Sequence, residues 1–273
     1  MLSDITIGQY FPGNSLLHRL DPRMKLTLTL LFIVVVFLPQ NWFGLLAVVA
    51  FLGGILALSH LPVKLLWRSI KPVLFLVAFT SVLNMLYVSG EGEPLLAFWV
   101  IKIYPEGIAT AVFISIRIVC LIAGSSLLTY TTTPTALTDA MEYLLSPLKV
   151  VKVNAHELAM MMTIALRFIP TLMEETDKIM SAQKARGADL ESGGLMQRVR
   201  ALIPILIPLF VSSFRRAYEL AMAMECRCYQ GGEGRTRMKR LQTARRDWVA
   251  LAVYVAVVVA LIGLNILFGS SLK

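Results

Sequence analysis

Apolar residues in this chain come in unbroken runs separated by short polar segments. The runs are Leu26 to Leu38, stopped by Pro39, then Trp42 to Leu58, Pro72 to Val88, Ile108 to Tyr130 and Trp248 to Phe268. Crossing a hydrocarbon core of roughly 30 Å takes about 20 apolar residues in a helix. The fourth and fifth runs meet that length. The first three are shorter, so they tilt little or borrow flanking residues at the interface. Five membrane helices are predicted.

Between the fourth and fifth runs the pattern changes period. From Asn154 to Arg186 a long helix is predicted, with Asn154 as N-cap and Glu157 three residues on in a capping-box arrangement. Its later half is amphipathic: Phe168, Ile169, Leu172, Thr176, Ile179 and Met180 share one face, and the charges lie mostly off it. Gly187 stands where a left-handed stop belongs. A second long helix carries Ile203, Ile207, Phe210, Phe214, Ala217, Ala221, Met224 and Cys228 at alternating steps of four and three. A seam of that kind asks for another helix against it. Pro204 and Pro208 should kink its start, and the Gly-rich basic stretch Gln230 to Arg240 should end it as a loop. Leu158 to Leu166 and Ala201 to Val211 are apolar all round but short. If both cross, the count becomes seven, with unchanged parity.

Charge orients these elements. Arg19, Arg23 and Lys25 precede the first run, and Lys64, Arg68 and Lys71 occupy the predicted loop between the second and third. Glu91, Glu93 and Glu106 face a single Lys102 after the third. The positive-inside rule puts the N-terminus in the cytoplasm and the C-terminus outside. The stretch Leu95 to Tyr104 is either a short hairpin or a re-entrant element. From Thr131 to Arg246 there are 17 Lys/Arg against 11 Asp/Glu, which makes this the cytoplasmic insertion. The chain is therefore predicted to be an all-α polytopic membrane protein with long cytoplasmic amphipathic helices. Residues 1–130 hold the N-terminal segment and four membrane helices, 131–246 the cytoplasmic helices, and 247–273 the last membrane helix.

Composition agrees. The chain is 57% hydrophobic and only 16% charged, against about a quarter charged in soluble domains. Its net charge of +9 sits in segments between apolar runs, as expected beside anionic lipid and not for nucleic-acid binding. Met1 to Lys25 has no signal-peptide pattern. Cys120, Cys226 and Cys228 give no disulfide framework.

Catalytic chemistry finds few parts. No P-loop, H-E-x-x-H or G-x-S-x-G string occurs. Cys226 and Cys228 make one C-x-C without further ligands, and His18, His60 and His156 are far apart in sequence, so no metal site and no cofactor is expected. Arg117, halfway along the fourth run, is costly in lipid and needs a buried partner or polar groove. It serves either the helix bundle or a partner interface. Met160, Met161, Met162, Met222 and Met224 suit core packing or an adaptable binding surface. Almost no other ionisable group lies in the runs, so an ion relay lacks parts. Energy has to come from another chain.

Three strings, in order, resemble the transmembrane coupling component of energy-coupling factor (ECF) transporters. They are LHRLDPRMKL (Leu17 to Leu26), ALRFIPTLMEETDKIMSAQKARGAD (Ala165 to Asp189) and AMECRCYQGGEGRTRM (Ala223 to Met238). The resemblance implies a multi-pass, non-catalytic subunit of the bacterial cell membrane. It implies two ABC-type ATPase subunits and a substrate-binding membrane subunit as partners in vitamin or micronutrient uptake. It also implies that Ala185-Arg186-Gly187 and Cys226-Arg227-Cys228 close two coupling helices that dock into the ATPases. Cysteines flank Arg227 where Ala and Gly flank Arg186, so the two contacts need not be identical.

Overall fold

The computed structural model describes residues 10–87, 96–98, 101–147, 154–188, 194–231 and 241–269. Nine α-helices are found among them: α1 (Pro22–Val35), α2 (Trp42–Ser59), α3 (Val63–Ile70), α4 (Leu74–Tyr87), α5 (Pro105–Thr131), α6 (Pro134–Leu145), α7 (Ala155–Ala185), α8 (Leu195–Cys226) and α9 (Arg245–Phe268). The chain divides into two compact units, one of 9–140 with 240–273 and one of 141–239.

In the first unit, α1, α2, α5 and α9 share a core of Phe32, Val36, Val48, Leu52, Leu127, Tyr254 and Leu261. Lipid tails are as apolar as leucine, so such helices associate through close packing and buried polar contacts. Gly124 supplies close approach: a Cβ there would lie 2.3 Å from the Phe32 ring. Asp21 caps α1 by accepting from the Arg23 N–H at 2.8 Å, and Asn41 caps α2 by accepting from the Gly44 N–H at 2.7 Å.

Five helical stretches are long and apolar enough to cross a membrane: Trp42–Ser59, Val63–Tyr87, Pro105–Thr131, Val199–Cys226 and Arg245–Phe268. The number matches the sequence expectation, but the membership does not. The first run forms a helix of only 14 residues, which rises roughly 21 Å. A stretch of α8 qualifies in its place, because the residues around Pro204 and Pro208 are apolar on every side. The predicted loop with Lys64, Arg68 and Lys71 is also helical. Those three residues fall at helical spacing on one face of α3 and its 3₁₀ continuation (Lys71–Val73), leaving Leu66 to be buried. Within Leu95 to Tyr104 the structure is a hairpin, with β1 (Leu96–Phe98) antiparallel to β2 (Ile101–Ile103) and Leu96 opposite Ile103.

In the second unit, α7 and α8 run 31 and 32 residues, continuous through Pro170, Pro204 and Pro208. Asn154 precedes α7, but its side chain caps no backbone N–H. Its backbone (φ −78°, ψ 78°) is not extended as a side-chain cap requires, and its amide donates to Glu157 Oε1 at 3.0 Å instead. The basic loop expected to Arg240 lies outside the described residues from 232 onward.

Candidate functional site

The two arginine motifs end their helices in the same way. After Arg186 (φ −85°, ψ 5°) comes Gly187 at φ +82°, and after Arg227 (φ −93°, ψ 13°) comes Cys228 at φ +54°. The Gly187 N–H donates to Lys184 O at 3.0 Å and the Ala188 N–H to Gln183 O at 3.0 Å. The Cys228 N–H donates to Glu225 O at 2.8 Å and the Tyr229 N–H to Met224 O at 3.1 Å. Both pairs are the 5→2 and 6→1 bonds of a Schellman motif. Glycine adopts the left-handed conformation freely; cysteine gives up roughly 1–2 kcal/mol to do so. The geometry is therefore kept at Cys226-Arg227-Cys228 despite an unfavourable residue. Ala185, Arg186, Gly187, Cys226, Arg227 and Cys228 are all exposed. Neither arginine side chain makes a hydrogen bond or ion pair among the described residues.

A polar clasp sets α7 against α8. Glu175 accepts from the Ser212 hydroxyl in a short hydrogen bond and from Arg216 Nη2 at 2.9 Å. The Ser212 bond, and then Arg216, hold the Glu175 carboxyl below its usual range. Further along, Gln183 Nε2 meets Pro204 O at 3.4 Å. Position 175 thus pairs with 212 and position 183 with 204, so the helices run antiparallel. Arg186 ends α7 beside the start of α8, and α8 runs on for roughly 35 Å from Pro204 to Arg227. The arginines occupy opposite ends of the pair.

The α8 side that meets α7 carries buried Ile205 together with Ser212 and Arg216. The predicted seam faces elsewhere: Ile207 is 59% exposed, Phe210 66% and Phe214 65%. Met161, Met162 and Met222 are exposed too.

The membrane unit holds its own polar groups. Arg117 donates from Nη2 to Pro39 O at 2.8 Å, with its guanidinium 4.9 Å from the Phe113 ring centre and 5.7 Å from that of Phe37. Its partner is a turn carbonyl flanked by two ring faces. The N-terminal string forms a knot at the start of α1. Lys25 Nζ donates to His18 O at 3.2 Å and to Thr131 O at 2.9 Å, while Asp247 Oδ1 accepts from the Asp21 N–H at 2.9 Å. Asp247 Oδ2 accepts from the Ala244 N–H at 2.6 Å. At the other end of the bundle Asn265 Nδ2 donates to Leu38 O at 2.8 Å, and Asn41 Nδ2 to Leu264 O at 3.1 Å.

The sequence pattern did not reveal Asp247, Asn41, Asn265 or the Glu175 clasp. Asp247 had one local signal, its place three residues past Ala244, where a carboxylate reaches back to the N-cap N–H. The clasp depends on which faces of α7 and α8 meet, and no local spacing reports that. Among the described residues no three His, Cys, Asp or Glu side chains gather as metal ligands.

Known proteins place this architecture. Residues 13–238 match the family model described as "Cobalt transport protein". The "Energy-coupling factor transporter transmembrane protein EcfT" of Clostridium kluyveri is 53% identical over 250 residues, covering 92% of this chain and 93% of that protein. The same-named proteins of Acidaminococcus fermentans (53%, covering 96% and 97%) and Bacillus subtilis (50%, covering 90% and 93%) are similar over comparable lengths. With five long apolar helices and likeness along nearly its whole length, the chain belongs to the family of multi-pass transmembrane components of energy-coupling factor transporters.

Proposed function

We propose that this subunit transmits ATP-driven motion from two ATPase subunits to a substrate-binding membrane subunit during vitamin or micronutrient uptake. ATP is hydrolysed by the partners, not by this chain. The observation that carries the reading is the pair of matching helix ends, each presenting an exposed arginine, at opposite ends of an antiparallel helix pair. Two sites roughly 40 Å apart suit two ATPases better than one. A guanidinium in a partner's groove makes paired bonds to a carboxylate that an ammonium cannot reproduce. The exposed seam of α8 and the neighbouring methionines suit an apolar partner whose shape varies. Arg117 belongs to the architecture, and its bond to Pro39 O supports that role.

For topology we propose N-terminus inside and C-terminus outside, from the Lys/Arg asymmetry. The short α1 counts as the first span, because Phe32, Val35 and Val36 are buried. The coupling pair α7–α8 is cytoplasmic, because Arg215, Arg216, Glu219 and Glu225 crowd the second half of α8.

The test is substrate uptake alongside ATPase co-purification for the Arg186→Ala, Arg227→Ala double variant. Loss of both with normal membrane insertion is expected. Wild-type uptake and ATPase recovery would make the arginines ordinary helix-end charges and remove the assignment.

A further inference from the structure

A cleft of about 450 Å³ opens among α1, α2, α5 and α9, within the roughly 300–1,000 Å³ usual for small-molecule sites. Leu28, Phe32, Phe51, Leu127 and Val253 line it. Tyr254 also lines it; this residue is only 6% exposed and its hydroxyl has no hydrogen-bond partner. A buried hydroxyl left unpaired is costly, so its environment calls for an acceptor.

Lys25 and Arg246 stand at one end of the cleft, where α1 and α9 begin and α5 finishes. Lys25 is buried, donates to two carbonyls and has its charge balanced by Asp247 and Asp21, which leaves one N–H over but makes Arg246 the uncompensated cation at the mouth. Arg246 is exposed and makes no ion pair among the described residues. Tyr254 lies roughly 12 Å along α9 from Arg246, and the arginine stem and tyrosine ring span part of that distance. The cleft is thus apolar inside, cationic at its mouth, and carries a single unpaired donor within. Basic pockets between membrane helices suit anionic headgroups.

We propose that the cleft holds an acyl chain of an anionic phospholipid. The phosphate sits at Arg246, with the remaining Lys25 N–H beside it, and an ester oxygen accepts from the Tyr254 hydroxyl. A membrane lipid is the occupant because it alone brings an apolar chain, an acceptor and a negative charge in that order, and because the unit is immersed in it. The inference rests on membrane embedding and is independent of the coupling role.

Native mass spectrometry of the full chain in mild detergent, titrated with phosphatidylglycerol and with phosphatidylcholine, tests this. The wild type should retain one phosphatidylglycerol in preference to phosphatidylcholine. Arg246→Gln, at an exposed position, should weaken phosphatidylglycerol about five-fold and leave phosphatidylcholine unchanged. Tyr254→Phe should weaken both lipids to a similar degree, and Ala250→Trp, which fills the cleft, should abolish retention. Equal retention of the two lipids by the wild type overturns the proposal. So does an Arg246→Gln variant with wild-type preference, or displacement of phosphatidylglycerol by inorganic phosphate. Arg246→Gln decides the matter even if Ala250→Trp fails to fold.

Discussion

In the membrane unit, Asp247 answers two backbone N–H groups, Lys25 answers two carbonyls, and Asn41 and Asn265 tie the first turn to the end of α9. In the helix pair of 141–239, the Arg186 and Arg227 side chains are exposed and without a partner among the described residues, and the α8 seam is exposed from Ile203 to Phe214. Both units are helical and both carry long apolar stretches. They differ in where their polar and apolar groups find partners. A bundle in lipid gains nothing by burying leucine against leucine, so its specificity comes from polar ties and close packing. On the proposed coupling role, a helix pair that works on other proteins would leave its recognition groups open for a partner to read.

Substitutions should therefore separate the two units, and the largest effect is expected at the arginines. Truncating one member of a buried charge pair at an interface costs about 2–5 kcal/mol. Either Arg186→Ala or Arg227→Ala should lower ATPase affinity by that amount while leaving the thermal stability of the isolated chain unchanged. Arg→Lys should recover only part of the loss. Affinity measured against purified ATPases, with a melting curve beside it, checks this. A drop in melting temperature without a drop in affinity would reverse the contrast between the units.

Asp247→Ala should do the opposite. It strands the buried Asp21 N–H and the Ala244 N–H, and an orphaned buried donor costs roughly 1–3 kcal/mol. The variant should melt earlier in detergent, yet what remains folded should bind ATPases normally. Equal stability of Asp247→Ala and wild type would show that the knot is ornamental.

The sequence disclosed the elements whose signals are local. The long runs, the second helix pattern, the stop at Gly187 and the paired arginines all sit where their spacing puts them. It misplaced α1: Asp21 and Pro22 start that helix ahead of the apolar run, and its α-helical part stops at Val35, short of Leu38. Lys64, Arg68 and Lys71 look like a loop because three positive charges mark a membrane side, while their helical spacing is a weaker local signal. The Asp247 knot joins residues 226 apart in sequence, and no pattern along the chain reports such a contact. The antiparallel register that separates Arg186 from Arg227 is likewise fixed by pairings of 175 with 212 and 183 with 204, which only the fold brings together.

Smaller effects distinguish the two arginine ends from each other. Gly187 and Cys228 hold the same left-handed position at φ +82° and +54°, but only glycine holds it without strain. Gly187→Ala should weaken the end of α7 by about 1 kcal/mol, whereas Cys228→Gly should steady the end of α8 by up to about 1 kcal/mol. Amide hydrogen exchange over 182–188 and 223–229 measures both. If Cys228→Gly loosens α8, the thiol is making a contact that outweighs its backbone cost.

The smallest effect concerns the clasp that sets the register of the pair. The Glu175 carboxyl is held below its ordinary value of 4.5, first by the Ser212 hydroxyl and then by Arg216. A carboxyl whose value is lowered on folding stabilises the fold above its unfolded value, and that contribution is lost as the pH falls through the folded one. Near neutrality the clasp is fully formed; below about pH 4.5 it weakens. Both side chains are partly exposed, Arg216 at 40% and Glu175 at 23%, so solvent screening keeps the contribution within about 1 kcal/mol. That is enough to loosen the register without unfolding either helix. Distances between spin labels placed on α7 and α8 should stay narrow in the wild type down to about pH 4.5 and broaden only as the pH falls well below it. Glu175→Gln should already be broad at pH 7 and should not change further. A Glu175→Gln distribution as narrow as the wild type's at pH 7 would mean that apolar contacts such as those of Ile205, rather than the carboxylate, keep Arg186 and Arg227 at their separation.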